Sequence, residues 1–338
     1  MSDEIKPVGF AAALNRALHD AFEADEKVIA FGEDFADREG GGVFGVSKGL
    51  STRFGASRVR STPISEQAII GAAIGASLVG FRPVVEIMLM NFTTVAMDMI
   101  VNHAAKLRYM SGGQTHVPIT IRTATGAGFG TAGQHADMLE AWFAHTAGLK
   151  VVVPSGPTEA YGLLTSCIFD DDPCIFIEPL GLLRSQGQLP EPGFCIPLGR
   201  ANVLREGKDV TVLTYGRQVG EVVAVADKLS GHIGVEIVDL RTIAPLDMTT
   251  ILASARKTGR VVIVHEAARS FGPGAEIAAQ IHAGLFGALR ASVRRVCGND
   301  SPVPYSKPLE TAFLPSRDAI EAAIRATLVE AGESLPVS

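Results

Sequence analysis

Two residues carry most of the chemistry this chain could perform. Glu66 stands in the stretch STPISEQAIIGAAIGASLVGFRPVVE, residues 61–86, and His135 follows a glycine-rich segment, GAGFG, at 126–130. Ser65 can act as a helix N-cap, which puts Glu66 in the first turn, where main-chain N–H groups and the helix dipole favour an anion. A carboxylate there has two readings. It can complement the dipole, worth about 0.3–1 kcal/mol, or it can sit in a partly desolvated pocket and share a proton with a ligand nitrogen. Beyond it Ile70, Ile74 and Leu78 keep a four-residue step among Gly and Ala. A helix that is apolar or small on every side is expected to be buried.

Other candidates are weaker. Glu33 and Asp34 end an apolar run, Val28 to Gly32, and in an open parallel sheet ligands gather at that end, although two acids capping a loop fit equally well. Neither glycine cluster is a nucleotide loop. GGGVFG at 40–45 lacks the Lys-Ser/Thr of a P-loop, and Thr131 stands where a dinucleotide fingerprint needs its last glycine. His135 lies just past the second cluster and before a helix-like run containing Met138, Leu139, Trp142 and Phe143, a place where an imidazole can face a cleft. His103, on a predicted helix face, reads as a packed or surface histidine. His265-Glu266 ends a strand with no nucleophile nearby in sequence and reads as packing or subunit contact.

The elements that must position these groups alternate in the α/β manner. Helical spacing covers 10–25 and 92–109, the latter stopped by Gly112 and Gly113, and 157–169 starts with a permitted proline. Apolar strands are expected at 28–32, 84–90, 117–123, 149–154 and 174–178. After a Pro/Gly/Gln-rich stretch, three more follow at 209–216, 235–240 and 259–265, separated by helices at 219–229 and 249–258. That order implies parallel sheets with right-handed crossovers. With 338 residues, two domains of ordinary size are expected. The fold class is α/β, two three-layer α/β/α domains with mainly parallel sheets. The divisions fall at 1–185, a linker at 186–206, and 207–338.

Composition excludes several classes. A net charge of -6 and the lack of a basic stripe give no reason to expect nucleic acid. No run approaches the ~20 apolar residues that span a bilayer, and MSDEIKPVGF shows no secretory pattern, so a cytoplasmic protein without a membrane role is expected. Cys167, Cys174, Cys195 and Cys297 have neither CxxC nor zinc spacing and are expected to be reduced and mostly buried.

TPISE before a small-residue helix, then FRPVVEIM and NFTTVAMDMIVNHAAKLRYMSGGQ, resembles the beta subunit of the thiamine-diphosphate-dependent E1 component of 2-oxo acid dehydrogenase complexes, most nearly the pyruvate, acetoin and branched-chain members. The similarity runs from about Val8 to Ile320 and implies a transketolase-like pyrimidine-binding domain followed by a transketolase C-terminal domain. It further implies that Glu66 hydrogen-bonds the aminopyrimidine of the cofactor, that Met88 and Phe92 hold that ring, and that Glu33 lies near it. His135 would assist proton or acyl transfer, and main-chain carbonyls of Ile119, Cys167, Asp170 and Asp172 would hold potassium.

The Gly-Asp-Gly signature with its later Asn is absent from these 338 residues, so magnesium and the diphosphate would belong to an alpha subunit in an α2β2 heterotetramer. The acyl group would pass to lipoamide on an E2 acyltransferase, with pyruvate the first-choice substrate. Two departures bear on substrate: QHAD replaces the family's QHSQ, and Pro179-Leu180-Gly181-Leu182-Leu183 replaces a common Lys-Leu-Tyr. An acetoin dehydrogenase subunit or a non-catalytic assembly scaffold are the alternatives.

Overall fold

The computed structural model describes residues 7–330, which divide into two compact units. The first comprises residues up to Thr125 together with Trp142–Leu198. The second comprises Gly126–Ala141 and the chain from Gly199 onward.

In the first unit, β1 (Val8–Gly9), α1 (Phe10–Ala24), β2 (Val28–Glu33), α2 (Leu50–Phe54), β3 (Val59–Thr62), α3 (Glu66–Leu78), β4 (Arg82–Leu89), α4 (Leu107–Met110), β5 (Thr120–Thr125), α5 (Glu140–Ala144), β6 (Lys150–Val152), α6 (Pro157–Ile168), β7 (Cys174–Pro179) and β8 (Gln186–Gly187) follow in order, α5 being where the chain re-enters this unit. Six strands form a parallel sheet in the order β6-β7-β5-β4-β2-β3. α1 and α6 pack together on one face, over a core of Leu14, Leu18, Phe22, Leu164 and Phe176. α3 packs on β4 and on the turns that follow it. β4, β5 and β7 are buried almost throughout, as strands covered on both faces must be.

The second unit holds β9 (Asn202–Arg205), β10 (Val210–Thr214), α7 (Gln218–Lys228), β11 (Val235–Asp239), β12 (Thr242–Ala244), α8 (Met248–Thr258), β13 (Val261–Ala268), α9 (Pro273–Leu285), β14 (Arg294–Gly298), α10 (Lys307–Phe313) and α11 (Arg317–Glu330). Its sheet runs β14-β13-β10-β11-β9, parallel except for β9, with α7 and α11 packed together over one apolar core. α8 and α9 pack against each other and onto the same sheet. Both units are thus α/β sheets of mainly parallel strands, as the strand–helix alternation implies.

Several local expectations differ. The single helix expected over 92–109 is three short pieces, a 3-10 segment Met90–Ala96, a π segment Asp98–Ala104, and α4. The hydroxyl of Thr93 bonds the carbonyl of Met90, the kind of local hydroxyl-to-main-chain bond that competes with regular helix. The stretch read as a linker, 186–206, is structured at both ends. Ile196, Leu189 and Leu198 pack on the first core, and Asn202–Arg205 is a strand of the second sheet. Most unexpectedly, Gly126–Ala141 leaves the first unit and belongs to the second. α3 is not closed on all sides within the chain. Ile69, Ile70, Ala73 and Ile74 are buried, whereas Ile64, Leu78 and Val79 are exposed and Ala68, Ala72 and Gly75 lie on the open side.

Candidate active site

Glu66 is the first residue of α3 and is only 8% exposed. Ser65 holds the cap position, as the sequence implies, but its hydroxyl makes no capping bond. Dipole and free main-chain N–H groups therefore act on Glu66 without competition from the serine. α3 packs on β4, which carries Met88, and on the 90–96 turn, which carries Phe92; both side chains are half-buried.

Around Glu66 the ends of the parallel strands bring further carboxyls together. Glu33 is the last residue of β2, and its neighbour Gly32 is registered against Glu86 in β4. Burial raises the Glu33 carboxyl above the ordinary range, and the charges of Glu66, Asp34 and Glu86 raise it further. Its Oε1 is buried with no hydrogen-bond partner among the described residues. Asp34, next along, turns the chain at φ +49°. The 40–45 glycines fold over the same group. A Cβ on Gly42 would stand 3.0 Å from Glu86 Oε1, and one on Gly41 would strike the main chain of Lys48 at 2.6 Å. These glycines permit close approach of backbone to carboxylate, not an anion cradle.

Behind this group lies a buried triad. Arg122, fully buried in β5, donates from Nη1 to Glu86 Oε2 at 2.9 Å, and its Nη2 lies 2.7 Å from Glu178 Oε1 without hydrogen-bond alignment. Burial pushes Glu178 up to about 7; Arg122 opposes that shift and Glu86 adds to it. One guanidinium among this many carboxyls leaves the end of the sheet short of donors. Such a site suits a ligand that offers N–H or a protonated nitrogen.

His135 is placed differently. It lies in a turn of the second unit, half-buried, with its N–H bonded to the carbonyl of Ala132, a residue at φ +62°. Ala136 packs with Ala127, Val303 and Phe313 in a small core, so the alanine of QHAD is a buried contact. The helix expected from Met138 is only Glu140–Ala144. Glu140 is fully buried, and Tyr215 donates to it at 2.6 Å. The structure thus gathers Glu66, Glu33, Met88 and Phe92 in one unit and places His135 in the other.

Of the four carbonyls that the resemblance assigns to potassium, those of Cys167, Asp170 and Asp172 lie at the end of α6 and the turn between it and β7, and that of Ile119 just before β5, all in the first unit. That of Ile119 accepts the Cys174 N–H at 3.0 Å, that of Cys167 the Asp170 N–H at 3.3 Å, that of Asp170 a guanidinium N–H of Arg82 at 2.9 Å, and that of Asp172 faces the Cys174 thiol at 3.6 Å. Lys150 bonds the Asp170 carboxylate at 2.6 Å beside them. Among the described residues no cluster of His, Cys, Asp and Glu is arranged to hold a metal ion, and no helix is long and apolar enough to cross a membrane. All four cysteines are free; Cys167 and Cys174 are buried, whereas Cys195 is exposed.

Residues 6–186 match the transketolase pyrimidine-binding domain and residues 199–320 the transketolase C-terminal domain. The acetoin:2,6-dichlorophenolindophenol oxidoreductase subunit beta of Cupriavidus necator is 45% identical over 325 residues, 94% of this chain and 96% of that one. The 3-methyl-2-oxobutanoate dehydrogenase subunit beta of Mycobacterium tuberculosis is 44% identical, covering 95% and 92%. The pyruvate dehydrogenase E1 component subunit beta of Staphylococcus epidermidis is 42% identical, covering 94% and 97%. The chain belongs to the E1 beta-subunit family.

As an E1 beta subunit it is part of a thiamine-diphosphate-dependent enzyme. Its fold agrees with a solved split-gene transketolase described as an inactive beta4 tetramer, with a TM-score of 0.77 at 21% identity over 95% of this chain and 98% of that one. The sequence reading of this E1 beta subunit missed Arg122, Glu178, Glu140 and Glu310. A signal existed for the first two: a single charge inside the predicted buried strands TIRTAT or IFIEP must be paired once both faces are covered. No comparable signal marks Glu310, in a short helix far along the chain.

Proposed function

We propose that this chain is the beta half of a 2-oxo acid dehydrogenase E1, working in an α2β2 heterotetramer, and that it holds the aminopyrimidine end of thiamine diphosphate. One observation carries the reading: a buried carboxylate, Glu66, at a helix start, beside a second carboxyl, Glu33, whose buried oxygen has no hydrogen-bond partner among the described residues. When bound, thiamine diphosphate supplies the nucleophilic carbon and the electron sink for decarboxylation. Glu66 shares a proton, through a hydrogen bond, with a ring nitrogen of the pyrimidine. Met88 and Phe92 offer half-buried apolar surface against the ring. His135 exchanges protons with the reacting group or serves acyl transfer to the lipoyl arm of E2.

Magnesium and the diphosphate belong to the alpha subunit in this reading. The exposed apolar residues on the open side of α3, Ile64, Leu78 and Val79, give the beta chain a surface for its partners. Potassium on the carbonyls of Ile119, Cys167, Asp170 and Asp172 stabilises their turn, and a higher melting temperature in KCl than in NaCl of equal ionic strength checks it. The complex works in the cytoplasm.

Pyruvate is the first-choice substrate. Acetoin is the second reading, favoured by the 45% identity to an acetoin oxidoreductase beta subunit. Co-expression with the alpha partner, followed by turnover with an artificial electron acceptor, separates them. Pyruvate, 3-methyl-2-oxobutanoate and acetoin are compared with and without thiamine diphosphate and magnesium. Cofactor-dependent turnover of one is the expected result. An assembled, cofactor-loaded complex inert toward all three would overturn the catalytic reading in favour of a scaffold.

A further inference from the structure

The glycine-rich segment before His135 is held by side chains at both its N–H groups and its carbonyls. Glu266 at the end of β13 accepts the N–H of Ala127 at 2.5 Å, and Glu310 in α10 accepts those of Gly128 at 2.6 Å and Gly130 at 3.0 Å. Cations take the carbonyls of the same loop. Arg217 donates to that of Ala127 at 2.9 Å and Lys307 to that of Gly128 at 3.0 Å. Gly128 lies at φ +116°, a conformation that favours glycine, so the loop is shaped to present these groups.

On the other side of His135, Ala136 packs with Phe313, which also belongs to α10, and Gly133 lies so close to Pro302 that a Cβ there would stand 2.9 Å from the proline. One short helix therefore grips the chain both before and after the histidine. Burial works against the charge on Glu310, but the two glycine N–H groups and Lys307 bring its carboxyl below the usual range.

We propose that Glu310, assisted by Glu266, is a positioning residue for His135. The two carboxylates clasp the 126–130 loop and fix the turn from which the imidazole acts. The proposal rests on the reading that His135 takes part in turnover. It also explains why this loop cannot serve a phosphate: its N–H donors at 127, 128 and 130 already face carboxylates of the chain itself.

Hydrogen–deuterium exchange on the assembled complex reads the clasp without catalysis, comparing the wild type with Glu310→Ala and Glu310→Gln. Peptides spanning 126–136 should exchange roughly 10-fold faster in Glu310→Ala, as expected for losing hydrogen bonds to a charged acceptor, with Glu310→Gln intermediate and α7 unchanged. Turnover completes the test. Glu310→Ala should lower kcat with little change in KM, and the double variant with His135→Ala should be no slower than His135→Ala alone. Wild-type exchange over 126–136 in both Glu310 variants overturns the clasp, and so does additive loss of kcat. A fully active His135→Ala instead overturns the role of the histidine, and the exchange data then report whether the clasp exists without it. If Glu310→Ala does not assemble, Glu310→Gln alone decides, because it keeps an acceptor oxygen and the side-chain volume.

Discussion

The two units put their buried carboxylates to different uses. At the end of the first sheet, Glu33 has a buried oxygen without a partner, Glu178 meets Arg122 without hydrogen-bond alignment, and Glu66 sits at an uncapped helix start. In the second unit one oxygen each of Glu266 and Glu310 accepts main-chain N–H groups of a loop, although Glu310 Oε2 and Glu140 Oε2 are buried there without a hydrogen-bond partner among the described residues. Carboxylates that accept main-chain N–H groups of their own chain hold that backbone in place, because losing such a bond costs more than making it gains. Carboxylates left short of donors inside a fold are a cost that a ligand can offset. The difference separates a site that waits for a partner molecule from one that shapes a loop.

The sharpest way to break that contrast is at Glu66. Glu66→Gln keeps shape and removes the proton acceptor, so turnover of the assembled enzyme should fall by roughly 10²–10⁴-fold, with the elution volume of the complex unchanged. Loss of assembly with the activity of the remaining complex intact would move Glu66 into the structural class.

Arg122 is next. Arg122→Met keeps much of the volume but leaves Glu86 and Glu178 buried without a cation, which costs about 3–5 kcal/mol. An apparent melting temperature lower by roughly 10 °C follows for a unit of this size. An unchanged melting temperature would mean that the triad is no more demanding than the loop-binding carboxylates of the second unit.

Glu178 gives the pH form of the same test. Its folded pKa, about 7, lies above the ordinary 4.5, so the native state holds a proton that the unfolded chain has lost. The resulting stabilisation is complete below about pH 4.5 and is lost as pH rises through 7, by up to about 1.4 kcal/mol per pH unit. Burial raises Glu266 to about 7 as well, giving the same slope, which cancels when wild type and Glu178→Gln are compared. The variant should match the wild type near pH 4.5 and become the more stable of the two by pH 7.5. Parallel stability curves would show that Glu178 is charged in the fold throughout.

Much of this was legible in the sequence, and what was not has a physical cause. Strands and crossovers follow from apolar runs bounded by turn residues, so β10, β11 and β13 lie where periodicity puts them. Glu66 is legible because its chemistry is local: one acid, one cap position, one buried helix. The 92–109 stretch misleads because its apolar spacing suits a regular helix while Thr93 bonds back to Met90. Transfer of Gly126–Ala141 to the second unit is invisible in sequence, since it depends on Glu266 and Glu310 more than 130 residues away. The exposed side of α3 was read as buried because composition reports apolar surface without saying which chain covers it.

Glu33 carries the smallest expected effect and divides the two classes most finely. Its carboxyl is raised by burial and by the charges of Glu66, Asp34 and Glu86, and its buried Oε1 has no hydrogen-bond partner among the described residues. Gln in its place copies the neutral acid in size and removes a charge that its neighbours repel. If the orphan oxygen exists for folding, Glu33→Gln should alter the melting temperature. If it exists for the cofactor, the melting temperature of the complex without thiamine diphosphate should hold or rise slightly, while affinity for thiamine diphosphate drops by roughly 10-fold, the scale of one charge-assisted hydrogen bond. Calorimetric titration of the cofactor into wild type and variant reads the second quantity directly. Unchanged affinity would leave Glu66 as the sole ligand-seeking carboxyl of the first unit and place Glu33 with the residues that only shape the end of the sheet.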